Sequence, residues 1–132
     1  MNAILSIKPR FVDEIIAGRK GYEFRKQGFK KDVNIVFVYA SSPVCRIIGE
    51  FELGNVLEGS PEYIWSKTSH LSGISKHYFD EYFMSHDIGY ALEIKCFKHY
   101  STPINPYKTI KGFHAPQSFC YANNLDEIHG LL

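Results

Sequence analysis

Residues 33–40, Val-Asn-Ile-Val-Phe-Val-Tyr-Ala, carry apolar side chains at both odd and even positions. A strand of that kind is covered on both faces, so it sits inside a layered domain and anchors a sheet. Shorter segments around it alternate instead. In Tyr22-Glu23-Phe24-Arg25, Glu23 and Arg25 share one face and Tyr22 and Phe24 the other, which predicts a half-buried strand. Cys45, Ile47, Phe51 and Leu53 alternate with Arg46, Glu50 and Glu52 in a long strand, with Gly49 as a bend or bulge. Tyr90, Leu92, Ile94 and Cys96 alternate with Glu93 and Lys95, and short strands are expected over residues 3–7 and 117–121. Pro9 suits a first helical position before the stripe Phe11, Val12, Ile15 and Ile16, which Gly18 ends. Ser60-Pro61 opens a helix through Ile64 and Trp65, and Ser75 caps another. In that last helix Tyr78, Phe79, Tyr82 and Phe83 form a stripe that reads as core packing. A loop through Pro103, Pro106 and Gly112 precedes the final strand. Strands dominate, connections are uneven and no repeat occurs, so the expected fold class is α+β, a small mixed sheet or open barrel with a few helices.

The 132 residues make one domain, expected over residues 1–122 with a polar tail over 123–132. With 45% hydrophobic and 22% charged residues, the composition excludes a disordered chain. No apolar run approaches the roughly 20 residues of a membrane-spanning helix, and no secretory leader is visible, so a cytoplasmic protein is expected. Cys45, Cys96 and Cys120, odd in number and far apart, suit buried thiols rather than a disulfide scaffold or zinc site. The six histidines have no metal-ligand spacing, and neither a metal nor a cofactor is expected. His99 and His114 are kept as possible pocket residues because they flank a basic stretch.

Charge is segregated along the chain. Arg19, Lys20, Arg25, Lys26, Lys30 and Lys31 lie close together with only Glu23 among them, and residues 95–111 hold Lys95, Lys98, Lys108 and Lys111 without an acid. Such stretches either share a face that holds a polyanion or are separate solvated loops. No phosphate-cradling glycine loop, paired-histidine zinc signature or nucleophile elbow is present. The segment from Gly18 to Arg25 is more specific, because it brings charges of alternating sign to a helix-to-strand junction. Arg25 can fork onto a phosphate or base edge, Lys20 supplies a compact charge, and Glu23 accepts from an exocyclic amine or orients the two cations. The bland alternative is a Glu23–Arg25 ion pair on an exposed strand, contributing under about 1 kcal/mol.

Gly18, Lys20, Glu23 and Arg25 fill all four fixed positions of the signature Gly-any-Lys-any-any-Glu-any-Arg. In this the chain resembles the ASCH domain family of the PUA-like superfamily. The resemblance extends to the opening strand and helix, to Tyr39-Ala40-Ser41-Ser42-Pro43, to Ile48-Gly49-Glu50-Phe51 and to Ala115-Pro116-Gln117-Ser118-Phe119, and so covers residues 3–122. It implies a small mixed β-barrel with flanking helices and a charged cleft beside the motif that binds RNA or a modified nucleotide. The residues expected there are Lys20, Glu23 and Arg25, with Lys8, Lys26, Lys30 and Lys31 as outer phosphate contacts and Ser41, Ser42, Ser118 and Tyr121 as further pocket candidates. Some ASCH proteins resemble amidohydrolases of acetylated cytidine, and others are ribonucleases. In a hydrolase reading Lys20 stabilises developing charge and Glu23 moves a proton. Glu23 stands where the amidohydrolases carry a nucleophilic threonine, and a carboxylate nucleophile would give an anhydride instead of their acyl-enzyme. A third reading, a protein adaptor using an exposed Tyr78, Phe79, Tyr82 and Phe83 patch, predicts that the whole aromatic stripe faces solvent.

Overall fold

The computed structural model describes residues 1–122. The tail expected over residues 123–132 lies outside the described residues. The chain opens with strand β1 (Asn2–Ile7) and helix α1 (Pro9–Ile16), followed by strands β2 (Tyr22–Arg25), β3 (Ile35–Ala40) and β4 (Arg46–Gly59). Helices α2 (Pro61–Thr68) and α3 (Lys76–Tyr82) come next, then β5 (Gly89–Ile104), the one-turn α4 (Pro106–Thr109) and β6 (Phe119–Ala122). The strands form one mixed sheet in the order β2-β5-β4-β3-β1-β6. The β1–β3 pair is parallel and the other pairs are antiparallel.

The two-sided apolar run is an interior strand, as its pattern requires. Val36, Val38 and Ala40 pack with Leu5, Ile7, Val12 and Ile15 in one cluster. Phe37 and Tyr39, on the opposite parity, pack with Ile47, Tyr100 and Ile104 in another. A third cluster, Phe24, Ile64, Phe79, Phe83 and Ala91, seats α2 and α3 on β2 and β5. Both caps expected from the sequence form: Ser60 Oγ accepts from Tyr63 N–H at 3.2 Å and Ser75 Oγ from Tyr78 N–H at 3.1 Å.

Several expectations change on contact with the fold. The β2 strand is not half-buried, since Glu23, Phe24 and Arg25 are all buried. β5 runs on through Pro103 rather than ending near Cys96. Register shifts against β4 near Ile47/Gly49, Glu50/Glu52 and Leu53/Val56 interrupt the alternation that marks a strand's length in sequence. Cys96 is exposed with a positive φ of 51°, so it is not a buried thiol. Ile16, expected on the apolar stripe, is 42% exposed, because the core-facing arc of α1 is filled by Val12 and Ile15. Phe79 and Phe83 are buried, so the four-ring patch that the adaptor reading requires is not on the surface. No helix among the described residues is long and apolar enough to cross a membrane.

Candidate nucleic-acid interface

The motif is a piece of local structure before it is a site. At the end of α1, Gly18 takes a φ of +80°, its N–H donates to the Ile15 carbonyl, and Arg19 N–H donates to the Glu14 carbonyl. This is the paired C-terminal cap that needs a left-handed residue, and glycine adopts that conformation without a side-chain penalty. The turn delivers Lys20 against the segment following α2, where it forms an isolated bridge to Ser72. Gly73 carries no side chain there for a physical reason: a Cβ on it would overlap the stem of Lys20. From Lys20 the chain enters β2, which places Glu23 and Arg25 on one face.

These three charged side chains are nearly closed to solvent, at 1% exposure for Lys20, 8% for Glu23 and 11% for Arg25. Lys20 Nζ donates to the Ser72 carbonyl at 2.9 Å, lies 3.5 Å from Glu23 Oε1, and sits 4.7 Å from the centre of the Phe24 ring. Burial holds its ammonium below the usual lysine pKa, outweighing the upward pull of Glu23. Arg25 Nη2 donates to Glu23 Oε2 at 2.6 Å and to the Ser6 carbonyl at 2.8 Å. Its Nη1 donates to the Ser118 carbonyl at 3.3 Å and to Ser118 Oγ at 3.1 Å. The guanidinium fork is therefore spent within the protein, and Nε is a buried donor with no hydrogen-bond partner among the described residues. Because β2 and the approach to β6 lie at opposite ends of the sheet order, Arg25 ties together the two edges of the curled sheet.

The seam opens into a cleft of about 410 Å³. Lys20, Glu23 and Arg25 contribute to it with Ser6, Ser41 and Ser118, and Lys8 and Lys26 stand among its walls. The remaining wall is aromatic and apolar, made by Phe11, Phe24, Ile74, Tyr78 and Tyr82, with Gln117 beside Ser118. Burial pushes the Tyr82 hydroxyl pKa up. Lys30, Lys31, Ser42 and Tyr121 do not line the cleft. The Tyr121 hydroxyl accepts from Lys30 N–H at 2.9 Å, and Lys31 Nζ lies 5.0 Å from the centre of the Tyr121 ring, so these three make a separate cluster. Neither His99, His114 nor any other part of the second basic stretch contributes to the cleft. Tyr78 and Tyr82, which the stripe alone assigns to the core, are site residues that sequence reasoning misses, as are Ser6, Phe11, Ile74 and Gln117. The i, i+4 spacing of the two tyrosines, one position ahead of the buried Phe79 and Phe83, carries the signal that the helix presents two aromatic faces.

Fold and site together define a PUA-like α+β domain with a charged cleft at the seam of its curled sheet. More closely, the chain has the ASCH fold: the solved ASCH protein of Zymomonas mobilis superposes with a TM-score of 0.88 at 24% identity, covering 98% of this chain and 92% of that one. A mutant of the same protein superposes with a TM-score of 0.87 at 23% identity, over 98% of this chain and 95% of that one. In sequence, the chain is 28% identical over 82 residues to an ASCH domain-containing ribonuclease of Zymomonas mobilis, covering 61% of this chain and 55% of that protein. It is also 38% identical over 88 residues to the large ribosomal subunit protein uL22 of Ureaplasma parvum, covering 65% of this chain and 27% of that protein. The chain thus matches about a quarter to a half of the length of these curated relatives. No family model matches the sequence.

Proposed function

We propose that the protein is an RNA-binding domain whose cleft takes a nucleotide, plain or modified, from a single strand. The carrying observation is convergence: the motif charges, two tyrosines and two rim lysines all open onto one cavity of about 410 Å³, within the usual size range for a small-molecule site. Single-stranded RNA offers bases that stack on aromatic rings and phosphates that meet lysines. Tyr78, Tyr82 and Phe11 supply rings, Lys8 and Lys26 supply charge, and Glu23 accepts from an exocyclic amine. The ASCH fold and the ribonuclease named among the relatives support RNA as the partner class.

A second reading, RNA cleavage, is favoured by one observation. Lys20 is a buried amine of lowered proton affinity at the cleft, 3.5 Å from a carboxylate, the arrangement expected of a tuned acid–base group. In its deprotonated form the amine takes the proton of a ribose 2′-hydroxyl. That oxygen attacks the adjacent phosphorus, the bond to the 5′-oxygen breaks, and the protonated amine returns its proton to the leaving oxygen. The products are a 2′,3′-cyclic phosphate and a free 5′-hydroxyl.

One titration tests both readings. A fluorescent mixed-sequence single-stranded RNA is followed by anisotropy with wild type and Lys20→Met, and the RNA is then analysed for cleavage. Binding alone predicts RNA recovered intact from both proteins, with at least a tenfold loss of affinity, about 1.4 kcal/mol, in a Lys8→Gln/Lys26→Gln variant that removes the rim charges. Cleavage predicts cyclic-phosphate products from wild type that vanish in Lys20→Met. Absence of binding by the folded wild type overturns the RNA reading.

A further inference from the structure

The rim of the cleft repeats one small unit. Lys8, between β1 and α1, holds its Nζ 5.7 Å from the centre of the Tyr78 ring and 3.4 Å from its hydroxyl. Lys26, just after β2, holds its Nζ 4.6 Å from the centre of the Tyr82 ring. Tyr78 and Tyr82 are four residues apart on α3, so the two lysine–tyrosine pairs are offset by one helical turn, about 6 Å along the axis. Neither ammonium forms an ion pair with a carboxylate among the described residues. A ring face steadies a cation without neutralising it, so both charges stay available to an anion. Both pairs face the same cleft, whereas Lys30 and Lys31 do not.

We propose that Lys8–Tyr78 and Lys26–Tyr82 form a clamp for two consecutive phosphates of single-stranded RNA, which makes a dinucleotide the smallest unit that the cleft reads fully. This rests on the RNA reading above and deepens it. One turn of α3 offsets the two tyrosines by about 6 Å along the axis, of the order of the spacing of neighbouring phosphates on a single strand, so two consecutive phosphates can be met in turn. The fixed charges on Lys20, Glu23 and Arg25 are held by protein partners, which leaves the rim lysines as the groups free to neutralise phosphate.

The test is calorimetric titration of three probes, a nucleoside, its 5′-monophosphate and a 5′-phosphorylated dinucleotide, at several salt concentrations. Affinity should rise stepwise across the series, and the dependence of log K on log salt should steepen by about 0.7 for each phosphate. Lys8→Gln and Lys26→Gln should each remove one increment, and the double variant should bind all three probes as it binds the nucleoside. The Lys30→Gln/Lys31→Gln variant should keep both increments. Equal binding of the three probes by wild type overturns the clamp, as does survival of both increments in the Lys8/Lys26 double variant. If mixed-sequence RNA binds but none of the short probes does, the clamp is also overturned while the RNA reading stands. If neither the probes nor the RNA binds, both fall together.

Discussion

One basic run, residues 19–31, supplies charges with two opposite fates. Lys20 and Arg25 are buried and held by the Ser72, Ser6 and Ser118 carbonyls and by Glu23, with Arg25 Nε left unpartnered among the described residues. Lys26, Lys30 and Lys31, a few residues further on, are exposed, and among the described residues they meet rings or the Tyr121 hydroxyl. Lys20 and Arg25 are nearly closed to solvent, whereas Lys26, Lys30 and Lys31 can exchange water and counterions for a ligand. The buried half instead shapes the place where the ligand would lie. The lesson concerns cost: a buried charge must be closely partnered to be tolerated, while an exposed lysine is nearly neutral to stability.

The sharpest way to break that contrast is Arg25→Ala. It leaves the Glu23 carboxylate buried with Lys20 alone and removes four hydrogen bonds, three of which span the seam. The expected loss is about 3–5 kcal/mol, the range for removing one partner of a buried ion pair, read from urea midpoints. A loss under about 1 kcal/mol would mean that the guanidinium behaves like a surface charge. For the same reason a Lys20→Met variant, with its seam intact, reports on the cleft more cleanly than any variant that also removes Arg25.

A smaller effect is expected at Gly18, whose φ of +80° closes α1 and aims Lys20. A Cβ added there would have nothing within 4 Å of it, so Gly18→Ala meets only the left-handed backbone penalty of about 1–2 kcal/mol. Its thermal shift should therefore be clearly less than that of Arg25→Ala. Equal shifts would indicate that the α1 turn, not the ion network, is the weaker part of the site.

Much of this architecture is legible in the sequence. The two-sided apolar run, the serine caps and most of the α1 stripe each rest on local rules that tertiary packing does not override. The spacing of Gly18, Lys20, Glu23 and Arg25 locates the floor of the cleft. The depth of that floor is not legible, because strand alternation assigns Glu23 and Arg25 to a face without saying what covers it. The cover comes from Ser72 and from Ser118, 52 residues beyond Lys20 and 93 beyond Arg25. The length of β5 is hidden for a different reason, since successive bulges erase the period that marks a strand.

Lys20 itself sharpens the comparison through pH. Its pKa is lowered in the folded state, with burial the largest cause, so in the window between that lowered value and the ordinary 10.5 the unfolded chain binds the extra proton. Stability from this group is present above the unfolded value and is lost as pH falls through the folded one. Wild type should therefore gain stability relative to Lys20→Met as pH rises towards 10.5, measured as the difference in urea midpoint along a pH series. A difference that stays flat would mean that Glu23 fully offsets the desolvation.

The smallest effect belongs to the exposed half. Replacing Lys30 and Lys31 together by glutamine removes no ion pair among the described residues and leaves the backbone N–H of Lys30 bonded to Tyr121. Among the described residues the contact of Lys31 with the Tyr121 ring is what is lost, so the stability change should stay within about 0.5 kcal/mol, as for an ordinary surface substitution. If RNA extends past the cleft over Tyr121, the same variant will flatten the salt dependence for a long strand while a dinucleotide is bound as before. A fall in stability well above that bound would instead assign these lysines to the structural half of the run and dissolve the distinction between the two.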